Sequence, residues 1–495
     1  MGQRTSAQLR AALDHPVIDA DGHVIEVTQV LLEYVDQFGG PGMVDRYRGA
    51  PIKRQFRLQA DDDYWTVDSG SWVWPTRNTL DRATTMLPSL YAERLDEFGI
   101  DFSLLYPSEG LFFPQLADEE LRLVTCRAYN HYITDCYRPF KDRMTPAAVI
   151  PTHTPAEAVA ELTYAVRELG MKVAVLRSYV NRPAVDGGPA RLDFLALGSD
   201  YDYDPVWQAC VDLGVAATFH SSAVYGGRAQ IPNYVYNHIG ILAAGGEAIC
   251  KALFMGGVTQ RFPTLNCAFL EGGVGWAVSL LADLVGHWER RSADHIGDVD
   301  PANLDVERLG TLLARHGDER VVAHIDELRE MFGRAQPAVE QRDNFAAVPL
   351  HDADEMLDYF VAPFWFGCEA DDPVVAHAFD RRVNPFGAAL QAVLGSDAAH
   401  WDVVDIASVL NEAWHMVERG TMTETDFKDF VFTNPARLHA GMNPQFFTGT
   451  RVASAVEAAG LVSGSRRDGV TTRDRLGPGD AHEAVRRTAL RAQRA

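Results

Sequence analysis

The sequence lacks the features that mark several protein classes. Its six cysteines contain no C-x-x-C pair, so neither a disulfide framework nor a cysteine-rich zinc site is expected. Basic residues are scarce, since 45 Lys and Arg face 68 Asp and Glu for a net charge of -23, which disfavours nucleic acid and anionic membranes as partners. No apolar run has membrane-spanning length, and the first fifteen residues hold no apolar core of a secretion signal. We therefore expect a cytoplasmic protein with reduced thiols, which binds neither nucleic acid nor membrane.

Alternating apolar strands and amphipathic helices dominate what is present. The 495 residues are 47% hydrophobic, enough to bury a substantial core. Near-continuous apolar strands followed by helical spacing predict a parallel sheet covered by helices, and eight such units predict a closed (β/α)8 TIM barrel of the α/β class. The eight runs cover residues 16–21, 101–106, 145–150, 171–177, 215–220, 265–271, 363–369 and 392–397.

Two segments interrupt this repeat. Residues 39–90 hold a mixed polar and aromatic run, which predicts a loop or small β-insertion after strand one, and residues 290–356 predict a charged helical insertion between strands six and seven. Loops that follow strands lie at the catalytic end of a barrel, so both insertions are expected to line the pocket or form a subunit contact. We assign residues 1–450 to the barrel and 451–495 to a polar, Arg-rich tail.

The run D-A-D-G-H at residues 19–23 is the most informative motif. Alternate side chains of a strand share one face, so Asp19, Asp21 and His23 are expected to emerge together. A carboxylate and an imidazole two residues apart can bind one divalent cation. The alternative is an ordinary polar turn whose side chains are solvated.

Further candidate ligands close other predicted strands. His220 ends strand five, Glu271 ends strand six and Asp397 ends strand eight. Each has an ordinary alternative, such as a hydrogen-bonded core histidine for His220 or a helix N-cap for Asp397. With Asp21 and His23, however, they put imidazoles and carboxylates in one predicted layer, which suits Zn, Mn or Fe(II).

Longer motifs give the chain a family resemblance. The opening D-A-D-G-H, the segment TFHSS, the run RFPTLNCAFLEGGVGWAVSLLADLVGHW and the late LGSDAAHWD with FTNPARL resemble the amidohydrolase-related branch of the metal-dependent hydrolases. That branch includes enzymes similar to aminocarboxymuconate semialdehyde decarboxylase and resorcylate decarboxylase. The resemblance spans about residues 15–442. It implies a barrel whose metal ion is held by Asp21, His23, His220 and Asp397. The surplus of Glu, His and Asp around the barrel mouth leaves a second ion possible.

The chain departs from the family pattern in two places. Asp21 stands where better-known members carry the first histidine of H-x-H, and Glu271 stands where many carry a histidine. Glu271 is predicted to be a proton-transfer group or an additional ligand, with an ion pair to Arg177 as the alternative. His238 is expected to face the substrate, and His400 to contact a ligand.

Glu26 lies three residues beyond His23 and is expected to reach the same site. Aromatic residues favour an apolar or aromatic substrate, although such residues also pack loops. They are Trp65, Trp72, Trp74, Phe112 and Phe113.

The activity predicted first is metal-dependent hydrolysis of a small organic molecule by a metal-activated water. Asp397 is the expected base, His238 and Glu271 are expected to protonate the leaving group, and Arg177 is expected to bind an anionic group of the substrate. The alternatives are a nonoxidative decarboxylase, an iron-dependent oxygenase, and an inactive subunit beside a paralogue. We expect a homo-oligomer or a hetero-oligomer with such a paralogue.

Overall fold

Eight parallel strands in chain order form the centre of the protein. The computed structural model describes residues 4–50, 78–183, 191–220, 234–334, 342–398 and 400–461. Each strand pairs with the next along the chain. The strands are β1 (Ile18–Val24), β2 (Phe102–Pro107), β3 (Met144–Val149), β4 (Val173–Leu176), β5 (Ala217–Phe219), β6 (Cys267–Phe269), β7 (Phe364–Glu369) and β8 (Gln391–Gly395).

The last strand returns to the first and nearly closes the sheet. The amide of Asp397, just past β8, donates a hydrogen bond of 3.1 Å to the carbonyl of Asp21 in β1. Helices surround the sheet, so the predicted (β/α)8 barrel is confirmed. All eight predicted strand positions coincide with observed strands.

Helices follow the strands and cover the barrel. Those that follow the strands are Pro88–Phe98, Glu119–Tyr137, Pro155–Arg167, Asp204–Leu213, Ile241–Met255, Gly275–Arg291 and Val409–Glu418. After β7 the covering element is a 3-10 helix, Pro373–Phe379. The other described α-helices are Ser6–Ala12, Thr28–Gly39, Pro41–Gly49, Thr79–Met86, Tyr234–His238, Val258–Arg261, Val306–His316, Glu319–Val322, Ile325–Phe332, Glu424–Lys428, Asn434–Ala440 and Ala453–Ala458. A small antiparallel hairpin joins Val180–Arg182 to Arg191–Asp193.

Local sequence signals explain where these elements begin and end. Thr154 and Glu157 form a reciprocal capping box that starts the helix after β3, with Pro155 at its first position. Gly214 takes a left-handed conformation with φ 66° and ends the helix before β5. Every residue of β1, β2, β4, β5, β6 and β8 is buried, as expected for strands covered on both faces.

The segments outside the regular repeat differ in part from expectation. Residues 41–49 and 79–86 are helical rather than a loop or β-insertion, while the aromatic run with Trp65, Trp72 and Trp74 lies outside the described residues. The stretch between β6 and β7 carries the predicted helical insertion. Of the tail, only residues up to 461 are described, so the division into a barrel and a tail stays a prediction. Among the described helices, none is both long and apolar enough to cross a membrane.

Candidate metal centre

The end of β1 places the first two candidate ligands. The pairing of β1 with β2 shifts register between Asp19 and Gly22, so side chains here do not follow a simple alternation. A Cβ atom at Gly22 would lie 2.5 Å from Asp19 Oδ2 and 2.6 Å from Ser103 Oγ, so only glycine fits this position. Asp21 and His23 are both buried on either side of this glycine.

Asp19 does not join the candidate ligands. Its Oδ2 accepts hydrogen bonds from Ser103 Oγ (2.7 Å) and Ser396 Oγ (2.8 Å), and its Oδ1 accepts from the amides of Ser396 (2.9 Å) and Asp21 (3.3 Å). Asp19 therefore connects β1 to β2 and to the end of β8. Asp19 therefore has a structural role beside the candidate ligands and is not one of them.

The four predicted ligands converge at the carboxyl end of the barrel. His23 Nε2 lies 3.1 Å from His220 Nε2, 3.3 Å from Asp397 Oδ1 and 3.6 Å from Asp21 Oδ1. His220 Nε2 is 3.8 Å from Asp21 Oδ1. Three separate strands thus bring their terminal side chains to one point.

Two more side chains complete the cluster. Glu271 Oε2 lies 3.0 Å from His220 Nε2, and His400 Nδ1 lies 3.2 Å from Asp397 Oδ1. Glu271 and Asp397 both have left-handed backbone conformations, with φ of 53° and 47°, which are uncommon for residues with side chains. Glu271 thus contacts histidines of this cluster, and the alternative ion pair between Glu271 and Arg177 is absent among the described contacts.

The spacing and burial of these donors fit a bound divalent cation. Ligand atoms about 2.1 Å from one ion, at angles between about 90° and 109°, lie roughly 3.0 to 3.4 Å apart, close to the observed separations. Asp21 Oδ1 and Asp397 Oδ1 are buried and accept no hydrogen bond from the described residues. No Lys or Arg in the described chain forms an ion pair with Asp21, Glu271 or Asp397. Buried oxygens without donors or counter-charges are suited to a metal ion.

Burial and mutual charge shift the pKa values in this cluster. Burial, with repulsion from Asp397 and Glu271, raises the pKa of Asp21 well above its usual range. Burial, with the charge of His400, lowers the pKa of His23 to about 4, so this imidazole is neutral at pH 7. Although burial acts the other way, His400 and His220 hold the pKa of Glu271 well below its usual value. A neutral His23 and an ionised Glu271 are in the states that bind metals, and a bound cation would favour the ionised form of Asp21 as well.

Arg177 follows β4 and is buried close to the same end of the barrel. It is 4% exposed, and its Nε has no hydrogen-bond partner among the described residues. Its guanidinium lies 5.1 Å from the ring centroid of Tyr179, and no described carboxylate pairs with it. Burial lowers the pKa of Arg177, which nevertheless keeps its charge at neutral pH. A buried cation without an anion is suited to a negatively charged ligand.

Two other predicted residues lie outside the donor set. His238, in the helix Tyr234–His238, packs edge-on against Trp401 with ring centroids 5.9 Å apart. Burial lowers the pKa of His238, partly offset by the charge of Glu271. The expectation for Glu26 is wrong, because its carboxylate accepts hydrogen bonds of 2.9 Å from the amides of Glu109 and Gly110.

The structure also adds a carboxyl group that the sequence analysis did not single out. Glu369 is the last residue of β7, and burial together with the charges of Asp397 and Glu271 raises its pKa to about 9. Its position at the end of a predicted strand could have marked it as a candidate site residue, as it did for Glu271 and Asp397. Glu369 is therefore protonated at neutral pH near the cluster.

Comparison with known proteins gives the family. The family model for amidohydrolases matches residues 18–322, which carry β1 to β6 and most of the site. This chain belongs to the amidohydrolase family. The resemblance predicted from the motifs is thereby confirmed, and with it membership of an enzyme family.

The individual relatives of this amidohydrolase share low sequence identity with it. It is 25% identical over 288 residues to 2-amino-3-carboxymuconate-6-semialdehyde decarboxylase of Dictyostelium discoideum, covering 58% of this chain and 70% of the relative. An amidohydrolase of Mycobacterium avium subsp. paratuberculosis aligns with 17% identity and a TM-score of 0.49, over 86% of this chain and 100% of the other. A 5-carboxyvanillate decarboxylase of Novosphingobium aromaticivorans, solved with manganese, aligns with 14% identity and a TM-score of 0.47, over 86% and 96%.

Proposed function

We propose that this amidohydrolase is a metal-dependent nonoxidative decarboxylase of an aromatic or unsaturated carboxylic acid. The observation that carries the proposal is a buried cluster at the carboxyl end of the barrel, in which Asp21, His23 and His220 form one group of candidate ligands and His23 and Asp397 belong to a second. At the same end of the barrel, Arg177 is buried and pairs with no described carboxylate. The named activity of the Dictyostelium relative favours decarboxylation over hydrolysis, which the sequence alone had put first.

The donor set suits Mn, Zn or Fe(II), with Asp21, His23, His220 and Asp397 as the proposed ligands. Manganese is the ion in the solved decarboxylase from Novosphingobium. When bound, such a cation neutralises and polarises the oxygen atoms of a substrate carboxylate and its neighbouring oxygen.

Arg177 is proposed to orient the substrate. Its guanidinium presents planar donors that match a carboxylate or phenolate, and burial strengthens such a contact because little water competes. The anion would supply the charge that the described protein does not. The contact between Arg177 and this anion would hold the scissile carbon–carbon bond in position for cleavage.

Proton transfer completes the reaction. Cleavage releases carbon dioxide and leaves an electron pair on the substrate carbon, which must take up one proton. We propose that His238, whose ring packs against Trp401, delivers it; the charges of Glu271 and Asp397 favour its protonated form, although burial lowers its pKa overall. Glu271 is held ionised and so is better suited to accept a proton or bind a cation than to donate one.

Hydrolysis is the second candidate. The specific observation in its favour is that Glu271 and Asp397 both have pKa values below their usual range: burial raises each pKa, but His400, together with His220 for Glu271 and His23 for Asp397, lowers it further. Either carboxylate can therefore act as a general base at neutral pH, the role predicted for Asp397. The iron-dependent oxygenase and the inactive subunit have no separate support in the geometry. Oligomeric state and cellular location stay predictions.

The test is a decarboxylation assay on protein with defined metal content. Purified protein is stripped with a chelator, reloaded with Mn, and offered a panel of hydroxybenzoic and muconic acids while carbon dioxide and product are quantified. We expect carbon dioxide release from at least one acid, abolished in His220→Ala together with metal binding. The matched control is His324→Ala, an exposed histidine that should change neither.

Other outcomes decide between the alternatives. Metal binding with hydrolysis of esters, lactones or amides and no carbon dioxide would overturn the proposal in favour of a hydrolase. Dioxygen uptake by the iron-loaded protein would favour the oxygenase. Unchanged metal content in His220→Ala would support an inactive barrel.

A further inference from the structure

A cavity at the amino end of the barrel has no part in the proposed reaction. Its volume is about 420 Å³, within the range of roughly 300 to 1,000 Å³ that small-molecule sites occupy. Phe102 and Met144 begin β2 and β3, and Lys172 immediately precedes β4, so the cavity lies opposite the candidate metal centre. Much of the remaining wall comes from the end of the helix Glu119–Tyr137 and from the segment 446–450.

We propose that this cavity binds a small organic anion with an apolar body, such as an aromatic carboxylate, through the ammonium groups of Lys141 and Lys172. It would be a second binding site, separate from the one in which Arg177 is proposed to hold the substrate. The proposal goes beyond the proposed function and does not depend on it, because no residue of the cavity wall belongs to the candidate metal centre.

The charge of the cavity wall is the first argument. Three basic side chains line it, Arg138, Lys141 and Lys172, and no described Asp or Glu does. The chain as a whole has the opposite balance, with 68 Asp and Glu against 45 Lys and Arg. Arg138 has an ion pair of 2.9 Å with Asp135, whereas neither lysine pairs with a carboxylate of the described residues. Ammonium groups without counter-charges attract an anion.

Lys172 is the better placed of the two lysines. Its Nζ donates a hydrogen bond of 2.6 Å to the carbonyl of Phe446 and lies 5.6 Å from the ring centroid of the same residue. Burial, with the charge of Lys141, lowers the pKa of Lys172, so the two ammonium groups repel each other. An ammonium has three N–H donors, of which the carbonyl takes one. A bound carboxylate would accept from another and relieve the repulsion.

The apolar part of the wall is the second argument. Phe102, Met144 and Phe446 line the cavity and are buried. Thr145 and Pro146 of β3 also line it and are only partly buried, whereas β1, β2, β4, β5, β6 and β8 are buried throughout. The cavity thus leaves the first half of β3 incompletely covered. The apolar body of a ligand would cover it, and the burial of apolar surface favours that contact.

A hydroxyl group of the wall adds a third argument. Thr134 lies in the last turn of the helix Glu119–Tyr137 and is 9% exposed, and its Oγ1 has no hydrogen-bond partner among the described residues. In the same helix, Thr125 Oγ1 donates to the carbonyl of Leu121 at 2.8 Å, as helical threonines often do. Buried polar groups without partners are uncommon, and one in a cavity wall suits a polar contact with a ligand.

The rival explanation is that Lys172 only fastens the segment 446–450 to β4 and that the cavity holds water alone. Crystals soaked in 4-bromobenzoate separate the two, because anomalous diffraction at the bromine absorption edge locates the probe. We expect a bromine peak inside the cavity, with the carboxylate within hydrogen-bond distance of Lys172 Nζ. No peak, or a peak only at the candidate metal centre, would overturn the proposal.

Calorimetry measures the same binding in solution. The background is chelated Arg177→Met, so that the proposed substrate site at the other end of the barrel does not contribute. Adding Lys172→Met or Lys141→Met removes one charge from the cavity and should weaken 4-bromobenzoate binding about tenfold. The matched control is Lys251→Met, which replaces an exposed lysine paired with Glu247 and should leave the affinity unchanged.

The exposed position of Lys141 keeps the test valid if Lys172→Met fails to fold. Unchanged affinity in Lys141→Met, with circular dichroism like that of the parent protein, would overturn the role of the lysines. A bromine peak in the crystal without saturable binding in solution would mean binding at crystal concentration only, and would overturn the site.

Two related probes test the two parts of the recognition. 4-Bromobenzamide keeps the ring without the charge, and acetate keeps the charge without the ring, so each should bind at least about tenfold more weakly than 4-bromobenzoate. Equal affinity for the amide would overturn the anion site, and equal affinity for acetate would overturn the apolar one. Because these measurements use metal-free protein without Arg177, their result is independent of whether the enzyme is a decarboxylase.

Discussion

The buried carboxylate of Asp19 allows a quantitative test of the hydrogen bonds that connect β1 to β2 and to the end of β8 next to the candidate site. Asparagine at this position can reproduce every hydrogen bond. Its carbonyl oxygen replaces Oδ1, which accepts from the amides of Ser396 (2.9 Å) and Asp21 (3.3 Å), and its NH₂ group replaces Oδ2 and donates to the hydroxyls of Ser103 and Ser396. Asp19→Asn should therefore be tolerated, whereas Asp19→Ala should not.

The magnitude follows from the shifted pKa. Burial raises the pKa of Asp19 from 3.8 to about 6, although the surrounding hydrogen bonds act in the opposite direction. A raised folded-state pKa means that the folded protein binds more protons than the unfolded chain between these values. The stability contribution is complete below pH 3.8 and is lost as pH rises through about 6. A shift of about two units corresponds to about 3 kcal/mol, of which about half is lost between pH 5 and 8.

The assay is urea unfolding of chelated protein at pH 5 and pH 8, since a bound cation nearby would itself lower this pKa. The stability of Asp19→Asn relative to the wild type should rise by about 1.5 kcal/mol between the two pH values. Asp19→Ala should lose about 3 to 5 kcal/mol, because the Ser396 amide and two hydroxyls lose their acceptor. A relative stability of Asp19→Asn that is independent of pH would refute the reasoning.

Three further changes test other parts of the structure. Gly22→Ala should lower metal occupancy and reduce the free energy of unfolding by about 1 to 3 kcal/mol, because the added Cβ would lie 2.5 Å from a carboxylate oxygen of Asp19. Metal analysis and urea unfolding measure the two effects. Gly49→Ala is the control, because a Cβ there would meet no atom within 4 Å. Arg177→Met should raise KM for an acid substrate roughly 30-fold, from a lost contact of about 2 kcal/mol, and a steady-state KM within threefold of wild type would contradict a substrate role. Asp81→Ala should cost about 1 to 3 kcal/mol in urea unfolding, because Arg94 loses its buried 2.6 Å ion pair and keeps only the one with Glu97, while the Ile406 amide loses its acceptor; a loss below about 0.5 kcal/mol would show that the pair is not structural.

The fold could be predicted from sequence because most strands lie in short, mainly apolar runs and several helices have clear start or stop signals. The strand that ends at His220 is an example, since Gly214 marks the preceding helix end and the polar histidine marks the strand end. Local patterns of this kind do not depend on distant contacts. The insertion after β1 was less accessible, because helices such as Pro41–Gly49 depend on packing that composition does not record.

The candidate site was predictable where a ligand closes a strand, as Asp21, His220 and Asp397 do. Residues beyond the strand ends were harder to place. Glu26 follows β1 but turns toward the amides of Glu109 and Gly110, a choice made by tertiary contacts rather than by spacing. The contact of Glu271 with His220 likewise depends on the left-handed backbone conformation of Glu271, which the local sequence does not predict.

The most direct test of the central claim is anomalous diffraction from crystals of the Mn-loaded protein, with data collected on both sides of the manganese absorption edge. The account predicts a manganese peak about 2.0 to 2.3 Å from donor atoms of Asp21, His23, His220 and Asp397. Absence of any peak within coordinating distance of these four side chains, in protein shown by chemical analysis to contain manganese, would contradict it.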